Sequence, residues 1–184
     1  MALAQTLLLT AEDYRLMPET GPRYQLIEGE LFMAPAPNRY HQDISRNIEF
    51  ILLKHLEKNP VGKLYDAPFD VYLGEHNVFQ PDIVFVANDR LAILTDIGAE
   101  GAPNLVIEIL SDSTAHLDKK TKLKVYAANG VEELWLVDPE TKSVRTYFLR
   151  QNADQGAAVY HRNESFTSPC FPGLTISAAE VFKK

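Results

Sequence analysis

Two acids stand in this sequence where apolar strand residues would be expected. Asp82 follows Pro81 at the head of QPDIVFVA, and Glu108 lies inside NLVIEIL. Strand alternation puts Asp82, Val84 and Val86 on one face and Ile83 and Phe85 on the other, while Glu108 shares its face with Val106 and Leu110. Each carboxylate therefore looks toward a core or a cleft. An isolated buried carboxylate costs several kcal/mol, so such a group protonates, pairs or binds a metal. Two ionised acids on adjacent strands repel, and a divalent cation between them removes the conflict. Hard oxygen donors suit Mg²⁺ (or Mn²⁺), which keeps waters for chemistry. Each acid also has a plainer reading. Asp82 could be a turn acid after a proline, and Glu108 the ion-pair partner of a downstream lysine.

Lysines follow the second acid at Lys119, Lys120, Lys122 and Lys124. Thr114, Asp118, Lys122 and Tyr126 fall four apart, which on a helix is one stripe. Lys122 then lies at the margin of an apolar edge of Leu123, Tyr126 and Ala127, where a lysine stem can be buried with its ammonium in a cleft. Lys119 is placed as well on an ideal helix, and a solvated basic face explains the cluster too. Periodicity leaves the choice open. Two acids, a metal and a lysine form a set for phosphoryl chemistry. The metal polarises a phosphoryl oxygen and lowers the pKa of bound water, and the lysine steadies the attacking hydroxide or the phosphorane charge.

The elements that must position these residues read as α/β. TAEDYRLMP is a short helix with Thr10 as N-cap, and YQLIE and ELFMA are the arms of a hairpin turning at Gly29. Ile44, Ile48, Ile51, Leu52 and Leu56 recur at helical spacing, so residues 38–59 form the long helix. KLYDAPFDVYL and VFQPDIVFVA each read as a strand, separated by the turn GEHN, and RLAILTDIGAEGAP as a short helical or irregular excursion. NLVIEIL reads as a central strand buried on both faces, LDKKTKLKVYAANGV as a helix stopped by Gly130, and EELWLVDPE as the next strand. Those three make a βαβ crossover in a mixed central sheet. SVRTYFLR, AAVYHR and ESFTS add further strands.

At 184 residues, 46% hydrophobic and 23% charged, the chain has the size and composition of one soluble globular domain over residues 1–184. No apolar run spans a bilayer, and the N-terminus lacks the basic region of a signal peptide. The single cysteine, Cys170, excludes an internal disulfide and fits a cytoplasmic location. There is no GxSxG, Walker or GxGxxG motif. His55, His76, His116 and His161 have no metal spacing, whereas His41, after a proline-rich turn, could line a cleft, cap a helix or lie on the surface. The net charge of −7 fits poorly with a polyanionic partner unless basic residues gather locally.

The long pattern YQLIEGEL…H…QPDIVFV…GAPNLVIEILSDSTAHLDKKTKLKVYAANGVEELWLVDPE, from Tyr24 to Glu140, resembles the Uma-type restriction endonuclease family of the PD-(D/E)xK phosphodiesterase superfamily. The resemblance implies a restriction-endonuclease-like core. It implies an endonuclease hydrolysing nucleic-acid phosphodiesters, DNA by preference, with Mg²⁺ or Mn²⁺. By position, Asp82, Glu108 and the backbone carbonyl of Ile109 would be metal ligands and Lys122 the catalytic lysine. Glu28 and His41 match recurrent positions and would be additional site residues. Leu110 departs from the simple motif, which has lysine two residues after the second acid. Homodimerisation would pair two sites across a duplex and recover basic surface. The competing expectation is a nuclease-like fold used without cleavage, as a binding or regulatory protein.

Overall fold

A computed structural model describes residues 7–18, 20–34, 36–111, 121–152 and 158–184. Its architecture is α+β, with mixed sheets flanked by helices. The first elements follow the sequence closely. Helix α1 (Ala11–Arg15) opens on a capping box between Thr10 and Asp13. Strands β1 (Tyr24–Ile27) and β2 (Glu30–Met33) form the hairpin. Its turn residues Glu28 and Gly29 both have positive φ, 50° and 83°, as a two-residue type I′ turn requires. A Cβ at Gly29 would also stand 2.7 Å from that of Leu8.

Helix α2 (Arg39–Lys58) is capped by Asn38 and buries Ile44, Ile48, Leu52 and Leu56. Each such side chain contributes about 1.5–3 kcal/mol on leaving water. After it the chain builds two sheets. The expected strand KLYDAPFDVYL divides into β3 (Gly62–Asp66) and β4 (Asp70–Tyr72), and VFQPDIVFVA into β5 (Val78–Phe79) and β6 (Ile83–Ala87). A 3₁₀ turn (Asn88–Ile93) leads into β7 (Leu94–Thr95) and β8 (Gly98–Glu100), two short strands inside the segment read as an excursion. Then come β9 (Leu105–Ile109), helix α3 (Leu123–Asn129), ended by Gly130 at φ 92°, and β10 (Glu133–Asp138). The chain closes with β11 (Ser143–Phe148), helix α4 (Leu149–Asn152), β12 (Ala158–His161), the small hairpin β13 (Ser165–Thr167) and β14 (Thr175–Ser177), and helix α5 (Ala178–Val181).

One six-stranded sheet runs β2-β1-β5-β4-β8-β7 and the other β12-β11-β10-β9-β6-β3. The mixed central sheet expected from sequence is the second of these, and the first is a further mixed sheet. β3 and β4 belong to different sheets, as do β5 and β6, because Pro68 and Pro81 cannot donate to a ladder. The two transfers lie side by side, with the Ala67 N–H donating to the Asp82 carbonyl at 3.0 Å. The expected crossover is present, since β9 and β10 are adjacent and parallel.

The second sheet is buried on both faces by alternation. Ile83, Phe85 and Ile107 pack with α2 and the C-terminal hairpin. Val84, Val86 and Val106 pack with α3 and the first sheet. No described helix is long and apolar enough to cross a membrane.

The C-terminal hairpin is tied to the sheet by a buried acid. Glu133 accepts from the Trp135 indole N–H and the Ser168 hydroxyl, both at 2.6 Å. Burial raises its pKa above the ordinary glutamate range, with Ser168 and Trp135 opposing. Burial also pushes the Cys170 thiol up, so it is an inert group. A raised carboxyl contributes stability that is present at low pH and lost as pH rises through the raised value. We expect Glu133→Ala to cost about 2–4 kcal/mol in urea unfolding, since it strands two buried donors. Glu133→Gln should narrow its stability deficit relative to wild type as pH rises from the ordinary glutamate range toward neutrality.

Candidate active site

Asp82 sits at the threshold of β6 rather than inside a strand. The β6–β9 register pairs Ile83 with Ile107. Continued outward, it sets Asp82 opposite Glu108 and Pro81 opposite Ile109. Cross-strand partners share a face, so the two carboxylates share one side of the sheet's end. Pro81 has no N–H, and the ladder stops there. The Ile109 N–H turns instead to the Asp82 side chain, donating to Oδ2 at 2.7 Å. Leu110 donates its own N–H to Val137 on the β10 side, so the Ile109 carbonyl points toward the Asp82 side, where proline offers it no donor.

Glu108 is 7% exposed. Lys122, also buried, lies with its Nζ 3.2 Å from both Glu108 oxygens. The Tyr126 hydroxyl donates to Oε1 at 2.6 Å. The floor beneath them is Phe79, its ring centroid 4.9 Å from that of Tyr126 and 6.0 Å from the Lys122 ammonium. Of the lysines left open by periodicity, Lys122 meets the acid and Lys124 is exposed. Lys119 and Lys120, with Thr114 and Asp118, lie outside the described residues.

His41 reaches Asp82 from the other layer. It stands in the first turn of α2, Nε2 3.3 Å from Asp82 Oδ1, with its side chain 11% exposed. Burial works to lower the imidazole pKa. The hydrogen bond and charge of Asp82, the Ile109 backbone and the Glu108 charge outweigh it, and His41 titrates above the ordinary histidine value. Of the readings open from sequence, the structure puts it in a cleft. That cleft, about 330 Å³, is lined by His41 and Asp82 together with Ser45, Arg46, Glu49 and Asp66.

The site thus brings together Asp82, Glu108, Ile109, Lys122 and His41. Glu28 does not join them. It is exposed in the hairpin turn, its N–H donated to the Asn77 side chain, because the turn needs its backbone rather than its carboxylate. Tyr126 is the partner that sequence reasoning missed. Its spacing places it on the apolar edge, and its position one turn beyond Lys122 is the signal for a hydroxyl reaching the same acid.

Two carboxylates and a carbonyl are all hard oxygen donors and fit a small divalent cation with several waters. Among the described residues no group of three or more His, Cys, Asp and Glu side chains forms a metal cluster. The carbonyl and water would therefore have to complete the shell.

A solved structure described as a putative nuclease belonging to DUF820, from Anabaena variabilis, superposes with a TM-score of 0.80 at 20% identity, covering 95% of this chain and 97% of that one. An uncharacterized protein of Synechocystis sp., sll1609, is 24% identical over 150 residues, 80% of this chain and 84% of its own. The family model Uma2, described as "Putative restriction endonuclease", matches residues 11–179, extending the resemblance seen from Tyr24 to Glu140 in both directions. With the fold and the family match in agreement over most of its length, the chain belongs to the Uma2 family of restriction-endonuclease-like proteins.

Proposed function

We propose that this protein is a Mg²⁺-dependent endodeoxyribonuclease, with Mn²⁺ as a substitute, whose centre is Asp82, Glu108, the Ile109 carbonyl and Lys122. The observation that carries the reading is the buried meeting of Glu108 with the Lys122 ammonium at 3.2 Å, in register with Asp82 at the sheet's end. A family described as restriction endonucleases supports DNA as the substrate class.

Asp82, Glu108 and the Ile109 carbonyl would hold the cation. Bound there, it supplies polarisation of the scissile phosphodiester and a lowered pKa for the attacking water. The chain's own groups do the rest. Ile109 N–H fixes one oxygen of Asp82, leaving the other to face His41. Tyr126 fixes Oε1 of Glu108. Lys122 is a buried donor that can follow negative charge from the carboxylate to a non-bridging phosphate oxygen as charge develops. His41 can hold a proton at Nε2 beside Asp82 for transfer at the attacking or leaving oxygen. A homodimer would present two such sites to the two strands of a duplex.

Supercoiled plasmid incubated with Mg²⁺ or Mn²⁺ should be nicked or linearised. Asp82→Ala and Glu108→Ala should each lower the rate by at least about 100-fold. Lys122→Met should cost about 10²–10³ in rate while Mn²⁺ binding by calorimetry survives. No cutting and no metal binding by the parent would instead favour the non-catalytic binding protein. Tyr126→Phe removes only the hydroxyl that orients Glu108. It should weaken Mn²⁺ binding by about 10–100-fold with the fold intact by circular dichroism; unchanged affinity would remove Tyr126 from the site.

A further inference from the structure

Two clefts flank the acids, and their charges differ. The cleft on the α2 side carries Asp82, Asp66 and Glu49, against which Arg46 is the one full cation in its lining, itself 3.5 Å from Asp43. Beyond the acid that would hold the cation, Asp66 and Glu49 repel a DNA strand entering from that side. The other is a groove of about 410 Å³ whose lining includes Leu110, Leu136, Arg145, Tyr147, Val159 and His161.

Register places this groove on the face of Glu108. Glu108 pairs with Leu136, Leu136 with Arg145, and Arg145 with Val159, and cross-strand partners point to the same side. Ser143, one alternation along β11, pairs with His161. A straight row therefore leads from the carboxylate across β10 and β11 to the sheet edge at β12. The inner end of the row is packed under α3, where Leu136 belongs to the core. The outer end is open, with Val159 37% exposed.

Arg145 is exposed and makes no ion pair among the described residues. The acid that shares the groove, Asp138, is turned into its own loop, Oδ1 accepting from the Glu140 and Thr141 N–H groups at 2.9 and 3.1 Å. Tyr147 and His161 add flat rings of the kind on which bases stack. An exposed guanidinium between two such rings, with no ion pair among the described residues, gives a polyanion a local cation on a chain of net charge −7.

We infer that the groove over β10, β11 and β12 is the track by which a DNA strand enters the site, with Arg145 on a phosphate and Tyr147 and His161 against bases. The inference rests on the nuclease reading for its ligand, but its test does not depend on cleavage. A fluorescent DNA duplex with a single-stranded end is titrated with full-length Asp82→Ala protein in Ca²⁺ at low salt, followed by anisotropy. Adding Arg145→Glu should weaken binding by about tenfold or more and lower the salt slope by about one. Adding Lys58→Glu, exposed at the end of α2 away from His41, should change the affinity less than about twofold. Equal losses from both charge reversals, or none from Arg145→Glu, would overturn the track. So would tighter binding of an RNA of the same sequence, or no DNA binding by the Asp82→Ala protein. If the parent cuts plasmid while Arg145→Glu leaves binding unchanged, the nuclease reading stands and the track falls. If the parent does not cut yet Arg145→Glu alone abolishes binding, the track stands and the nuclease reading falls.

Discussion

A proline placed where a strand pair must end sets the geometry on which the site depends. Pro81 cannot extend the β6–β9 ladder, so the ladder closes through a side chain, with Asp82 Oδ2 accepting the Ile109 N–H at 2.7 Å. That bond fixes the carboxylate at the point where the chain leaves one sheet for the other. It also leaves the Ile109 carbonyl aimed at the same spot. Beside it, Gln80 donates to Asp70 at 2.8 Å, so the residues entering the transfer are held from the first sheet as well. A charge-assisted hydrogen bond from the backbone is stronger than a neutral one and offsets part of the desolvation of a half-buried acid.

Alternation does the rest of the positioning. Along β6 and β9, odd and even residues feed two different cores, one against α2 and one against α3 and the first sheet. A slip of one residue would move Ile83 and Phe85 out of the α2 core and turn Glu108 into it. The identity of the acid's surroundings is therefore enforced by the apolar side chains of the two cores. Glu108 is tolerable in this place because it meets Lys122 and Tyr126 there, and loss of the Lys122 ammonium would take an opposite charge away from it in low dielectric.

Much of this was legible in the sequence, for identifiable reasons. α2, the hairpin, β9, the described part of α3 and β10 are periodic or tightly punctuated, and each appears where those signals put it. The side alternation of Val84 and Val86 against Ile83 and Phe85 was legible too. The division into two sheets was not. The runs around Pro68 and Pro81 are apolar on both sides of the proline, and local pattern does not record that the halves pair with different partners. β7 and β8 are two and three residues long, below the length at which alternation can speak. Glu28 stands at a turn whose positive φ constrains its backbone, which the pattern of residue types does not record. Tyr126 was counted as apolar because its ring is core, and a ring's burial does not reveal where its hydroxyl ends.

The displaced lysine follows from the same geometry. In the simple motif the cation comes from the strand itself, two residues after the acid and on its face. Here that position is Leu110, which packs against the α3-side core, so an ammonium there would take the place of an apolar contact. Lys122, fourteen residues from Glu108, approaches from the helix that covers this face and still brings Nζ to 3.2 Å from both oxygens. The proposed phosphoryl chemistry would require an ammonium beside a carboxylate in a buried corner, and a crossover helix can supply it as directly as a strand. The cost is a lysine stem that must be buried, and the Phe79 ring at 6.0 Å with the Tyr126 ring beside it forms the apolar and π-rich wall that makes such burial workable. The acids are held by the register of two strands. The lysine is held by the docking of one short helix on them, so the cation's position is the part of the site most open to change without disturbing the sheet.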